Sequence, residues 1–148
     1  MKPFNAFVPH AHWFLRVSLA SVFLYHGFTK FPVLGNLAEM MGMPVAMVGL
    51  LAAMEVAGGA LILVGGFGKD LLTRLGGLLI APVMLGAIFM VHLQHGWNSV
   101  NMGSGNMGRG MEFQFVLMMI ALYFLFVGNR HSGQAAKQEA PRVQSVSA

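Results

Sequence analysis

Seven side chains in this sequence can bind, hold or move a proton in stretches where little else is polar: Arg16, His26, Lys30, Glu55, His92, His95 and Glu112. Glu55 is the most telling of them. It lies about ten residues into an apolar run that starts at Val45, or about 15 Å along a helix at about 1.5 Å per residue. In a membrane, an ionised carboxylate at that depth costs about 2.5–3.5 kcal/mol on insertion scales, so it must be protonated, paired or turned to a hydrated cavity. Ala52 and Gly59 share its helical face, which turns Glu55 toward other helices rather than lipid. The plain structural alternative is a protonated acid hydrogen-bonded to a neighbouring helix.

His26 and Lys30 are four residues apart and share a helix face. Helical side chains lean toward the N-terminus of their helix, so His26 and Glu55 lean toward each other across two adjacent antiparallel helices. A buried Glu–His pair holds or passes a proton near neutral pH, which makes His26 and Glu55 the candidate catalytic residues. Arg16 is a second candidate partner for Glu55, although its lean and length favour snorkelling to the membrane surface. His92 and His95 precede Trp97, and Glu112 opens the last apolar run. Each has a structural explanation of its own, since cations suit helix C-termini, anions suit N-termini and Trp anchors at interfaces. Taken together, His26, Glu55, His92, His95 and Glu112 gather in the outer half of one bundle. Arg16, Lys30, His92, His95 and Glu112 are accordingly the candidate substrate-binding residues.

Three chemistries compete for that cluster. A quinone site would let carboxylate and imidazole exchange protons with the ring oxygens while gaps facing lipid admit the tail. A metal site would use His and Glu, but no spacing such as H-E-x-x-H specifies one, and no metal ligand is assigned. Haem b between His26 and His92 or His95 is ranked lowest, because a porphyrin needs wide clearance. Two methionine clusters, Met40, Met41, Met43 and Met47, then Met102, Met107 and Met111, have the thioethers that bind Cu(I). Methionine is equally a filler of helix interfaces.

Four apolar stretches must position these residues: Trp13 to Phe31, Val45 to Phe67, Leu75 to Val91, and Phe113 to Gly128. A membrane span takes about 17–25 residues. The second and third stretches meet that length, and the first and fourth are slightly short. No strand period competes, and helices satisfy their own backbone groups in lipid. The reading is an all-α integral membrane protein, a four-transmembrane-helix bundle over residues 1–130, with helices about 11–31, 45–67, 72–95 and 111–129. Residues 131–148 read as a disordered cytoplasmic tail. Arg16 interrupts the first stretch and no cleavage site follows, so that stretch is a retained helix rather than a leader. Gly58, Gly59, Gly76 and Gly77 are the small residues through which helices two and three would approach their neighbours, and Pro82 should kink helix three. The segments Pro32 to Pro44 and Gln94 to Gly110 are left as outer loops.

Charge sets the orientation. With both termini cytoplasmic, that side holds Lys2, Arg16, Lys69, Arg74, Arg130, Lys137 and Arg142, against Lys30 and Arg109 outside, as the positive-inside rule requires. Only 9% of the 148 residues are charged and 56% are hydrophobic, against about 25% charged in a soluble domain. The net charge of +4 is scattered, which disfavours nucleic acid and suits anionic lipid headgroups. The sequence has no cysteine, which excludes disulfides, thiolate zinc sites, iron–sulfur clusters and covalent haem.

The segments around these residues resemble the DoxX-like proteins. Arg16 through His26-Gly27-Phe28-Thr29-Lys30-Phe31 is similar to that family's first helix, Glu55-Val56-Ala57-Gly58-Gly59 with Leu61 to Gly65 to its second, and Gly110-Met111-Glu112 to the start of its fourth. The resemblance covers about residues 12–130. It implies a multi-pass protein of the bacterial inner membrane, similar to the quinone-linked DoxD subunit of thiosulfate:quinone oxidoreductase and described among oxidoreductase subunits. It also implies positions of interest at Arg16, His26, Lys30, Glu55 and Glu112. The function expected is that of a subunit or small enzyme of quinone-linked electron transfer, with membrane lipids, quinone and a protein partner subunit as its contacts; the small-residue faces would also allow a homo-oligomer. The alternatives are a non-enzymatic membrane anchor in a larger complex and a small transporter or metal handler.

Overall fold

The computed structural model describes residues 7–100 and 108–130, and within them every regular element is helical. The elements are α1 (His12–Lys30), α2 (Leu34–Met41), α3 (Val45–Gly65), α4 (Asp70–Ala87) and α5 (Glu112–Val127). The expected tail, residues 131–148, and the methionines Met102 and Met107 lie outside the described residues. Two helical stretches, Val45–Gly65 and Asp70–His95, are long and apolar enough to cross a membrane, while α5, with 16 residues, is apolar but shorter. These are the second and third of the four apolar stretches.

The packing follows from glycine. A Cβ on Gly27 of α1 would lie 2.9 Å from the Ala52 carbonyl of α3, and one on Gly76 of α4 would lie 2.9 Å from the Gly58 carbonyl of α3. On the other face of α4, a Cβ on Gly77 would lie 2.5 Å from the Ala121 carbonyl of α5. A methyl group at any of these positions would push two backbones apart, so the small residues set how closely the helices approach. The helices thus pack in the order α1, α3, α4, α5, around a core of Leu19, Phe23, Ile62, Ile80, Leu117 and Phe124. Phe14, Phe67, Leu71, Phe89 and Phe126 point outward and are well exposed. That is more outward-facing apolar surface than a solvated monomer keeps, and it suits contact with lipid.

The structure departs from the sequence reading in two connecting segments. Pro32 to Pro44 is not a loop: Phe31–Val33 forms a 3-10 turn and α2 follows. Leu34, Leu37, Ala38 and Met41 recur at helical spacing, and Ala38 is buried against the bundle. Gly42, at φ 62°, ends α2 in the left-handed conformation that glycine adopts without strain, its N–H donating back to the last turn. α4 contains Pro82 within one helix and is followed by a π-helical turn at Ile88–His92 and a 3-10 turn at Leu93–His95. Such π turns widen a helix locally and are frequent at functional sites.

Candidate functional site

Two polar clusters lie inside the bundle, one at each end. The first is built on Arg16, which is fully buried. Its Nε donates to His12 Nδ1 at 2.9 Å, one terminal nitrogen donates to the Ile62 carbonyl and to Thr73 Oγ1 at 3.0 Å, and the other donates to Asn129 Oδ1 at 2.5 Å. The guanidinium also stacks over the Phe124 ring, 4.7 Å from its centre. Asn129 is held in turn by the Gly65 carbonyl and by Asp70, whose partner Arg74 donates to the carbonyls of Leu125, Phe126 and Val127. Arg16 therefore does not snorkel to a surface. A planar fork with five donors finds backbone and side-chain acceptors on α3, α4 and the end of α5, and those partners replace water.

The second cluster lines a cavity of about 490 Å³ at the opposite end. Glu55, 5% exposed, accepts a hydrogen bond from Lys30 and forms an ion pair with it. The expected Glu55–His26 pairing is thus corrected. Lys30 lies one turn beyond His26 on the same face of α1, and its longer stem carries the ammonium across to α3. His26 lines the same cavity, as does His92 from the π turn of α4. His92 Nδ1 lies 2.7 Å from the Arg109 carbonyl. A ring nitrogen that close to a carbonyl oxygen must carry the proton and donate it, which leaves Nε2 of the neutral ring as an acceptor.

Gln114, two residues into α5, was not singled out in the sequence and belongs to this site. It lines the cavity, and its Oε1 is buried with no hydrogen-bond partner among the described residues. A buried amide oxygen without a partner costs about 1–3 kcal/mol, and a ligand's O–H, or the amide turned to donate instead, would recover that cost. The signal was legible: Gln114 is the only strongly polar residue between Phe113 and Val127. The rest of the wall is apolar and soft, with Met41, Met43, Met47, Met84 and Met90 beside Phe23 and Leu51. Met40, from the same sequence cluster, points outward.

Of the seven residues read from sequence, the structure brings four together: His26, Lys30, Glu55 and His92. Arg16 is in the other cluster. His95 is half-buried on the 3-10 turn, and Glu112 accepts the Ser99 N–H at 3.0 Å in a neighbouring cleft. Among the described residues no three His, Asp or Glu side chains converge as metal ligands. The cavity offers a guest a largely apolar wall and, for polar atoms, a cation–carboxylate pair, two imidazoles and an amide. Its volume falls within the range of about 300–1,000 Å³ common for small-molecule sites.

Comparison with known proteins bears on the same residues. The family model described as DoxX matches residues 11–93, a span that contains His26, Lys30, Glu55 and His92 and stops short of Gln114. Among curated proteins, "Putative oxidoreductase CatD" of Bacillus subtilis (strain 168) is 30% identical over 119 residues, covering 78% of this chain and 78% of that protein. No solved structure matches.

Proposed function

The chain belongs to the DoxX family of membrane proteins, and from that premise we propose that it is a subunit of quinone-linked electron transfer in the bacterial inner membrane. On this reading α1, α3, α4 and α5 cross the membrane, with both termini in the cytoplasm, and the quinone ring occupies the cavity between them. The observation that carries the reading is the convergence of Lys30–Glu55, His26, His92 and Gln114 on one cavity whose remaining wall is apolar.

The chemistry asks for those groups. Reduction of a quinone takes two electrons and two protons, and the two ring oxygens must be held by donors before reduction and by acceptors after it. The Lys30 ammonium supplies a donor, and Glu55 beside it stores a proton or releases one. The Nε2 atom of His92 accepts from a quinol O–H, and the Gln114 amide serves either redox state, since it carries a donor and an acceptor. The electrons come from a reductant held by a protein partner, which is consistent with a relative whose name contains the word oxidoreductase.

A second reading rests on the same ion pair. Lys30–Glu55 also ties α1 to α3, and a purely structural tie is what a non-enzymatic anchor of a larger complex would need. The two readings part on one experiment. Quinone is extracted from the purified protein and quantified by mass spectrometry, beside Glu55→Gln and His26→Ala. Near-stoichiometric quinone that falls about tenfold in either variant, a change of about 1.4 kcal/mol, is the expected result. Trace quinone, equal in all three samples from folded protein, would overturn the quinone site and leave the anchor.

A further inference from the structure

The wall of the cavity is uneven. α1 packs along α3, α3 along α4 and α4 along α5, each through glycines that bring backbone onto backbone. α1 and α5 close the ring poorly by comparison. Among the described residues, Arg16 ties them together at one end, through its hydrogen bond to Asn129 and its stacking over Phe124. At the other end of the same two helices the cavity lies between them, with Val22 and His26 on one side and Phe113 and Leu117 on the other. α1 and α5 are pinned together at one end and, among the described residues, parted by the cavity at the other.

We infer that this parting is a lateral portal, and that the ligand is a long-chain amphiphile which enters from the bilayer, its ring held at Lys30, Glu55, His26 and Gln114 and its chain leaving between α1 and α5. The inference deepens the quinone reading and rests on it, because it names which quinones are taken: prenylated ones dissolved in the membrane, not tailless ones dissolved in water. Three observations carry it beyond the general affinity of an apolar pocket. Five polar side chains, His26, Lys30, Glu55, His92 and Gln114, stand in a wall that is otherwise apolar, as an amphiphile with one polar ring requires. The cavity at about 490 Å³ is of a size for a ring and the start of a chain, so a long chain has to leave it. The methionines on the wall have unbranched, freely rotating side chains that adapt to a flexible chain without fixing one conformation.

Arg16 gains a second role in this arrangement. By pinning α1 to the end of α5 it leaves the opposite end free to part, so the portal opens without the bundle coming apart. A gap that faces lipid also needs no satisfied backbone edge, because both flanking elements are helices whose backbone groups are bonded internally.

The test compares two probes on the full chain in lipid nanodiscs: a ubiquinone with a long isoprenoid chain and its tailless ring, with binding read by quantified extraction. Leu117→Phe narrows the gap and Val22→Ala widens it. In the unaltered protein the long-chain quinone should bind at least about tenfold more tightly than the tailless ring. Leu117→Phe should lower long-chain binding by a similar factor and leave the tailless ring within about twofold, and Val22→Ala should leave both probes bound. Equal affinity for the two probes, or an equal loss of both in Leu117→Phe while Val22→Ala still binds normally, would overturn the portal and leave a quinone site reached from water. Failure of the unaltered protein to bind either probe would overturn the quinone reading itself, and the portal with it. Should Leu117→Phe not fold, Val22→Ala decides: a long-chain preference that survives the widened gap supports the portal, and its disappearance refutes it.

Discussion

At the scale of single residues the buried Arg16 and the half-buried Lys30 divide the work. Lys30 meets a carboxylate in a cavity, where the pair can exchange a proton with a guest, whereas Arg16 meets only neutral acceptors and an aromatic face. Arg16→Ala would remove the hydrogen bonds to the Thr73 hydroxyl and the Ile62 carbonyl, leave the Asn129 carboxamide oxygen with only its Thr73 donor, and open a void among four helices. Loss of about 3–5 kcal/mol is expected, the scale for removing one partner from a buried charged network. Arg16→Lys should recover only part of it, because the three donors of an ammonium sit on one atom and cannot span the four acceptors that the planar guanidinium reaches. Denaturant unfolding in detergent would measure both, and a wild-type midpoint for Arg16→Ala would show the network to be dispensable. The residues of this network were only partly legible in the sequence. Arg16 stood out as a charge in an apolar run, but Thr73 and Asn129 are common in turns and helix ends, and nothing in their spacing announces a partner more than fifty positions away. Glu55 was legible for the opposite reason, since a carboxylate deep in an apolar run must have a use; its partner was not, because the choice between His26 and Lys30 turns on stem length and exact helix phase.

At the scale of elements, the fold was legible where composition is extreme and obscure where geometry is irregular. Runs of apolar residues with glycines at Gly58, Gly59, Gly76 and Gly77 mark helices in close contact. The π turn at Ile88–His92 has no such signature: no proline or glycine lies inside it. Its effect is to rotate every residue after it, which places His92 against the Arg109 carbonyl and on the cavity wall. His92→Leu should take the imidazole, and its bond to the Arg109 carbonyl, off the cavity wall without changing the number of residues in the turn. The expected product folds, since the glycine contacts of α4 lie before the turn, but retains several-fold less quinone in the extraction assay. Unchanged quinone in this variant would remove His92 from the binding site.

At the scale of the whole molecule, the two polar clusters give the bundle a direction. The Arg16 cluster gathers the start of α1, the turn between α3 and α4, and the end of α5, while the cavity gathers the other ends of those helices. The basic residues follow the same division, because Lys69, Arg74 and Arg130 belong to the Arg16 end, and Lys30 and Arg109 to the cavity end. On the proposed reading, the positive-inside rule would turn the Arg16 end to the cytoplasm and put the quinone ring in the outer half of the membrane. The placement has a consequence for chemistry, since a proton taken up or released at Glu55 would then exchange with the outer face and not the cytoplasm. Orientation can be read with a reporter pair: alkaline phosphatase, active only outside, and a fluorescent protein, folding only in the cytoplasm, each fused in turn after Arg130 and between α4 and α5. Fluorescence after Arg130 with phosphatase activity between α4 and α5 is the expected pattern. The reverse pattern would turn the bundle over and move the proton exchange at Glu55 to the cytoplasmic face, and the same signal at both positions would mean that α5 does not cross the membrane, so that the cavity would have to be closed by some other element.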